Sequence, residues 1–274
     1  MCVFCNSLTK VNDMFIEERH QAILDLLNEN GSITTAEIQE RFAVSYDSAK
    51  RDLRILEEKG LLKRTYGGAL SIKKVGDCKS AYNLSSKERI RESKSNYNKI
   101  AKEALELVED NDVIYLTNAS IGFLIAQNFP EGKNCTIVTN SISIAEELRK
   151  NGNVTTILVG GEMSKSGAFY DAFAVEMVKR FRFDKCFITS ANISADFGLS
   201  VQKTRSVALT TEVIKNSKTV VGLYPTEKVG FNSAISICPA EKLNFLITDW
   251  EVSREDVSSF KELGIKTIVV EKSN

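Results

Sequence analysis

From residue 100 onward, short apolar runs alternate with amphipathic stretches, and this alternation constrains the fold more than any other feature of the chain. The runs are Val113-Ile114-Tyr115-Leu116, Cys135-Thr136-Ile137-Val138-Thr139 and Thr155-Thr156-Ile157-Leu158-Val159. Later ones are Lys185-Cys186-Phe187-Ile188-Thr189, Thr219-Val220-Val221-Gly222-Leu223, Phe245-Leu246-Ile247-Thr248 and Thr267-Ile268-Val269-Val270. Residues 100–108, 121–129 and 142–148 carry helical periodicity between the first of them. A strand with no polar face must be covered on both sides, and helices between such strands supply the cover. The pattern predicts an α/β domain over residues 99–274 with a mostly parallel sheet.

Sheets of this kind take their ligands beyond the carboxyl ends of the strands. Three such ends hold suggestive residues. Thr139, Asn140 and Ser141 lie where a strand passes into a helix, and hydroxyls, an amide and backbone N–H groups at a helix start suit a phosphate. Gly160 and Gly161 end the next strand and permit close approach of a ligand to the backbone. Lys228 follows a further strand and offers a cation to the same anion. Taken singly, each has an ordinary reading as helix cap, loop glycine pair and surface lysine.

The amino-terminal part reads differently. Residues 17–28 have helical spacing at Ile23, Leu24, Leu26 and Leu27, with Gly31 as a stop. Thr34 stands three residues before Glu37, the spacing of a capping box, and opens a short helix with Ile38 and Phe42 on one face. Ala43-Val44 makes a turn. Ser45 caps a third helix that Gly60 ends. At 100° per residue, Ala49, Leu53 and Leu56 share one side of that helix, while Asp47, Lys50, Arg51 and Arg54 share the other. Two helices joined by a tight turn, the second with an exposed basic ridge, fit a helix-turn-helix whose second helix enters the major groove of DNA.

The chain is neutral overall, with 36 basic and 36 acidic residues, so an argument for nucleic acid must be local. It is local here: between residues 45 and 74, eight basic residues against four acidic ones leave +4. Directly after the third helix, residues 61–70 read as two short strands around a turn. Lys63, Arg64, Tyr66 and Gly67 sit at that turn. A basic hairpin in this place makes a wing suited to phosphate contacts. Base-edge readers are sought at Lys50, Arg51 and Arg54, with Tyr46 and Ser48 near the helix start and the cap Ser45 among the DNA-binding residues. The expected layout is a winged helix-turn-helix over residues 14–70, a polar basic linker over 71–98, and the α/β domain.

The run Val44-Ser45-Tyr46-Asp47-Ser48-Ala49-Lys50-Arg51-Asp52-Leu53, followed by Leu56-Glu57, Gly60, Arg64 and Gly67-Gly68-Ala69, closely resembles the amino-terminal signature of the DeoR family of bacterial regulators. Thr136-Ile137-Val138-Thr139-Asn140-Ser141 and Gly160-Gly161 look like segments of that family's sensor domain. The resemblance implies a repressor of carbohydrate-metabolism genes with three further properties. Its second domain would resemble ribose-5-phosphate isomerase, it would respond to a phosphorylated sugar or related metabolite, and it would be a homo-oligomer on a duplex DNA operator. The chain also departs from the family. Leu116-Thr117-Asn118-Ala119-Ser120-Ile121 lacks the usual acid and glycine, Pro225-Thr226-Glu227-Lys228 keeps the lysine but not the acid, and Thr189-Ser190-Ala191-Asn192-Ile193-Ser194 replaces a glycine-rich stretch. The residues kept are those suited to an anion, and those lost are suited to sugar hydroxyls. Hence an anion is expected to bind while the rest of the effector differs from a plain sugar.

Two other readings follow from the same residues. A sugar-phosphate isomerase needs a positioned base, and the places where the resemblance would supply one hold Thr117 and Pro225; no catalytic residue is expected. A ligand-blind scaffold would also account for the lost acids. Six scattered cysteines include Cys2 and Cys5 at half-zinc-site spacing with no second pair, so free thiols in a reducing compartment are expected, without metal or cofactor. His20 reads as a structural or surface residue of the first helix. No apolar run reaches the ~18 residues of a membrane span, and no signal peptide is evident, which points to the cytoplasm. Met14 stands where relatives often begin, so residues 1–13 are expected to reflect a misplaced start.

Overall fold

A computed structural model describes residues 16–30, 32–71 and 95–272, and the chain divides into two compact units, one up to residue 76 and one after it. The expectations for Cys2, Cys5, Met14, Gly31 and most of the linker lie outside the described residues.

The first unit comprises α1 (Ile16–Asn30), β1 (Ser32–Thr34), α2 (Thr35–Phe42), α3 (Tyr46–Glu58), β2 (Leu62–Thr65) and β3 (Gly68–Ser71). Its core is the apolar seam read from the periodicity: Ile23, Leu27, Ile38, Phe42, Ala49, Leu53, Leu56 and Leu62 are all buried. The capping box closes α2, with the Thr34 hydroxyl accepting from Glu37 N (3.1 Å) and Thr34 N donating to the Glu37 carboxylate (2.7 Å). The turn to α3 puts Ala43 at φ 50°, a left-handed conformation that costs an alanine about 1–2 kcal/mol. The hairpin is not two-stranded: β1 adds to β3, giving the antiparallel order β1-β3-β2. Only glycine fits at residue 68, because a Cβ there would overlap the Ile33 carbonyl oxygen across the ladder.

The second unit contains α4 (Ser95–Glu106), β4 (Val113–Leu116), α5 (Ser120–Gln127), β5 (Cys135–Thr139), α6 (Ile142–Leu148), β6 (Val154–Leu158), α7 (Ala172–Val178) and β7 (Phe183–Ile188). There follow β8 (Asn192–Ser194), β9 (Gly198–Val201), α8 (Val207–Lys215), β10 (Ser217–Leu223), β11 (Ile235–Cys238), β12 (Phe245–Asp249), α9 (Arg254–Glu262) and β13 (Lys266–Val270). Seven strands form one sheet in the order β13-β12-β10-β7-β4-β5-β6, every neighbouring pair parallel. Apolar residues point to both sides of the inner strands because each face has its own core. Ile114, Leu116, Ile137, Phe187, Val221 and Ile247 pack with α4, α5 and α6. Tyr115, Val138, Cys186, Ile188, Val220 and Leu246 pack with α7, α8 and α9. A small antiparallel sheet, β11-β9-β8, stands beside this one.

The strand ends are set by buried polar ties. At the carboxyl end of β12, Asp249 is fully buried and accepts from Asn96 Nδ2 (2.8 Å), Thr226 N (2.9 Å) and the Thr226 hydroxyl (2.7 Å). At the opposite end, Lys185 donates to Asp112 (2.8 Å).

Candidate DNA-reading surface and sensor site

In α3 the two sides separate as the helical spacing requires. Ala49, Asp52, Leu53 and Leu56 are buried, whereas Tyr46, Lys50, Arg51 and Arg54 are exposed. Lys50 Nζ lies over the Tyr46 ring at 4.5 Å, which orders both side chains on the outer face. Arg54 faces Glu58 at 3.9 Å, and both are well exposed, so the pair contributes little. Ser45 and Ser48 serve the helix start: the Ser45 hydroxyl accepts from Ser48 N at 3.2 Å, and the two hydroxyls lie 2.9 Å apart.

Asp52 was legible only as part of the family signature, yet it fixes the pose of α3. Its carboxylate takes a two-point contact from Arg19 (2.7 and 3.2 Å) and a third from His20 Nε2 (3.1 Å). All three groups are largely removed from solvent, so His20 is structural. The hairpin is tied on as well. Gly67 O accepts from Thr35 N (2.7 Å) and the Thr35 hydroxyl (3.0 Å), and Arg64 N donates to Glu57 Oε1 (2.8 Å). The Arg64 guanidinium turns toward Glu57 at 3.8 Å. Tyr66, 83% exposed, stands at the hairpin tip, and Lys63 is half-buried on β2.

In the second unit, Thr139, Asn140 and Ser141 do end β5, but they are buried and laced into neighbouring loops. The Thr139 hydroxyl accepts from Ser141 N (3.2 Å), and Ile142 N donates to Gly167 O (3.0 Å). Asn140 accepts from Asn118 N (3.2 Å) and donates to Phe169 O (3.0 Å). Gly161 follows β6 at φ 140°, and a Cβ on it would strike the Asp171 carboxylate. That carboxylate accepts from Glu162 N and Ala174 N, capping α7. The approach that requires glycine is therefore made by Asp171.

Lys228 occupies a 3-10 turn, Thr226–Lys228, after β10. Strands β7 and β4 separate β10 from β5, so about 14 Å part the two strand ends. The sequence expectation of one anion shared by Lys228 and Thr139-Asn140-Ser141 does not match this topology.

The structure instead brings Asn118, Tyr170 and Arg205 to the β4–β5 end, none of which was singled out as an effector residue. Asn118 Nδ2 donates to the Tyr170 hydroxyl (3.2 Å), and the Arg205 guanidinium lies 5.2 Å from the Tyr170 ring centroid. Glu162, Met163, Ser164, Tyr170, Asp171 and Arg205 line an open cleft of about 340 Å³. The backbone N–H groups of Glu162 and Ala174 hold the Asp171 carboxyl below the usual range. Its capping of α7 is therefore complete above that range and is lost as pH falls through the depressed value. Hydrogen exchange at Glu162 and Ala174 should quicken, relative to the acid-limited rate, only below the ordinary carboxylate range. Quickening near neutrality would contradict this.

The two units define a class: a helix-turn-helix DNA reader joined to an α/β domain of the ligand-sensing type. Residues 19–75 match the DeoR-like helix-turn-helix domain, and residues 92–250, more than half of the chain, match the DeoR C-terminal sensor domain. The chain belongs to the DeoR family of transcriptional regulators. It is 28% identical to the HTH-type transcriptional regulator GolR of Listeria innocua over 94% of this chain and 100% of that one. It is 29% identical to the transcriptional repressor GlcR of Bacillus subtilis over 94% and 98%. The glycerol-3-phosphate regulon repressor of Escherichia coli is 25% identical over 85% and 90%. Among solved structures, ribose 5-phosphate isomerase A of Methanocaldococcus jannaschii aligns with a TM-score of 0.36 and 17% identity over 48% of this chain and 53% of that one. Among the described residues no helix is long and apolar enough to cross a membrane.

Proposed function

We propose that this regulator is a cytoplasmic repressor of carbohydrate-metabolism genes. It binds its operator as a homo-oligomer through the exposed face of α3, and a phosphorylated sugar or related metabolite controls it. The observation that carries the reading is α3 itself: Tyr46, Lys50 and Arg51 are presented outward at the amino-terminal end, where recognition helices meet base edges. The β2–β3 hairpin acts as the wing, with Lys63, Tyr66 and the Gly67 turn against the phosphate backbone. Arg64 supports it by bridging to Glu57. Repression and carbohydrate genes are suggested by relatives named as repressors, among them GlcR and the glycerol-3-phosphate regulon repressor.

The second unit acts as a sensor rather than an isomerase. At the carboxyl end of β4, where such chemistry would need a base, the chain has Thr117 and Asn118, and Pro225 stands in the corresponding place after β10.

Fluorescence anisotropy with duplex from upstream of the protein's own and neighbouring genes, titrated against salt, tests the reading. Binding well above that to scrambled duplex is expected; equal, steeply salt-dependent binding to both would contradict it. Lys63→Ala is expected to weaken binding to both duplexes alike and to lower the salt slope by about 0.9, the value for one phosphate contact.

A further inference from the structure

We propose that Arg205, and not Lys228, is the cation that binds the effector's anionic group, in the cleft it forms with Tyr170 and residues 162–164. The inference rests on the sensor reading above and names the chemistry of its site.

Three observations converge. First, Arg205 belongs to the correct end of the sheet. A short chain of contacts runs from Asn140 at the end of β5 to Asn118 after β4, from Asn118 to the Tyr170 hydroxyl, and from the Tyr170 ring to Arg205. Lys228 is three strands away from β5. Second, Arg205 is held ready for an anion. A guanidinium resting on an aromatic face has less freedom to lose, and its planar fork of N–H donors suits a phosphate or carboxylate. Third, the cleft is not uniformly cationic. Glu162 lines it, and Asp171, kept ionised by two backbone N–H groups, lines it too. A bare dianion would meet both carboxylates unfavourably. A phosphorylated polyol carries the same charge but offsets the repulsion, because its hydroxyls can donate to Glu162 and to the Ser164 hydroxyl while the phosphate meets Arg205. These carboxylates supply the hydroxyl-accepting part of the site that the sequence lacks after β4 and β10.

The ligand class is thus a polyol or sugar monophosphate held at both ends. Arg205 makes the anion contact, and Glu162 makes the contact that separates a phosphorylated polyol from inorganic phosphate.

Isothermal titration of the full chain with sorbitol 6-phosphate and with inorganic phosphate tests this. The variants are Arg205→Gln, Lys228→Gln and Glu162→Gln. Arg205 and Glu162 are exposed, so unchanged melting temperatures verify that those two variants fold. Arg205→Gln is expected to raise both dissociation constants about ten- to a hundred-fold, the range for losing a charge-assisted hydrogen bond. Lys228→Gln should leave both within about twofold of the parent, because Lys228 follows a strand three places from β5. Glu162→Gln should weaken sorbitol 6-phosphate alone. Parent-like binding by Arg205→Gln, with loss in Lys228→Gln, would overturn the assignment and leave the sensor reading standing. Failure of the parent protein to bind either probe would overturn both.

Discussion

Asp52→Ala is expected to abolish operator binding by unfolding the amino-terminal unit while leaving the sensor unit intact. The Asp52 carboxylate is almost wholly removed from solvent, with Arg19 at 2.7 Å and His20 at 3.1 Å. Taking away the acid leaves a buried guanidinium with no counter-charge, and breaking a buried pair in this way costs about 3–5 kcal/mol. A unit of this size has roughly 0.05–0.15 kcal/mol of stability per residue to draw on, so the loss is comparable with the whole. Calorimetry should show one transition retained and one lost or shifted far down, and anisotropy should show no specific complex. Asp52→Asn keeps the shape and part of the hydrogen bonding, so it should fall between the two. An Asp52→Ala protein that melts and binds like its parent would show that the pose of α3 does not depend on this cluster.

Arg51→Ala acts on the outer side of the same helix and should separate folding from recognition. Arg51 is exposed, so its removal should leave the melting temperature unchanged. A bidentate contact between an arginine and a guanine contributes about 1–3 kcal/mol of discrimination. The ratio of operator to scrambled-duplex affinity is therefore expected to drop about ten- to a hundred-fold. Arg54→Ala should have a smaller effect, because Arg54 lies farther along α3 from its amino-terminal end. Equal losses on operator and scrambled duplex would make Arg51 a phosphate contact instead.

Much of this architecture was legible because it depends on local periodicity. The strands inside the sheet carry buried apolar residues on both faces, and each of the seven runs named from the sequence coincides with a strand to within two residues at either end. The second and third helices of the first unit announce themselves through Thr34, Glu37 and Ser45, whose caps form as expected. The elements that escaped notice are short or lack a pattern. The strand Ser32–Thr34 is three residues long and exists only because Gly68 lets the hairpin approach. The strands β8 and β9 are only three and four residues long, and β11 joins them through partners on β9 up to 39 residues away, a pairing that no local rule signals. The helix α4 begins at Ser95, inside the stretch read as linker. Its first turn is polar, and the reason it is helical is tertiary: Asn96 bonds Asp249, far along the chain.

The sites divide along the same line. The basic ridge of α3 follows from helical spacing alone. The sensor site does not, because strand order decides which loops are neighbours. Thr139 ends one strand and Lys228 follows another, but two strands stand between theirs. Gly161 looked like room for a ligand, and the space is taken by Asp171 ten residues on. Arg205 and Tyr170 come together from loops with no shared motif.

Selection from a pool of random duplexes by the full chain tests the central claim, that the outward face of α3 reads base sequence. The account predicts convergence on a defined motif for the parent protein and a relaxed motif for Arg51→Ala. A pool that emerges from repeated rounds with no enriched sequence, although the protein binds and retains duplex, would contradict it.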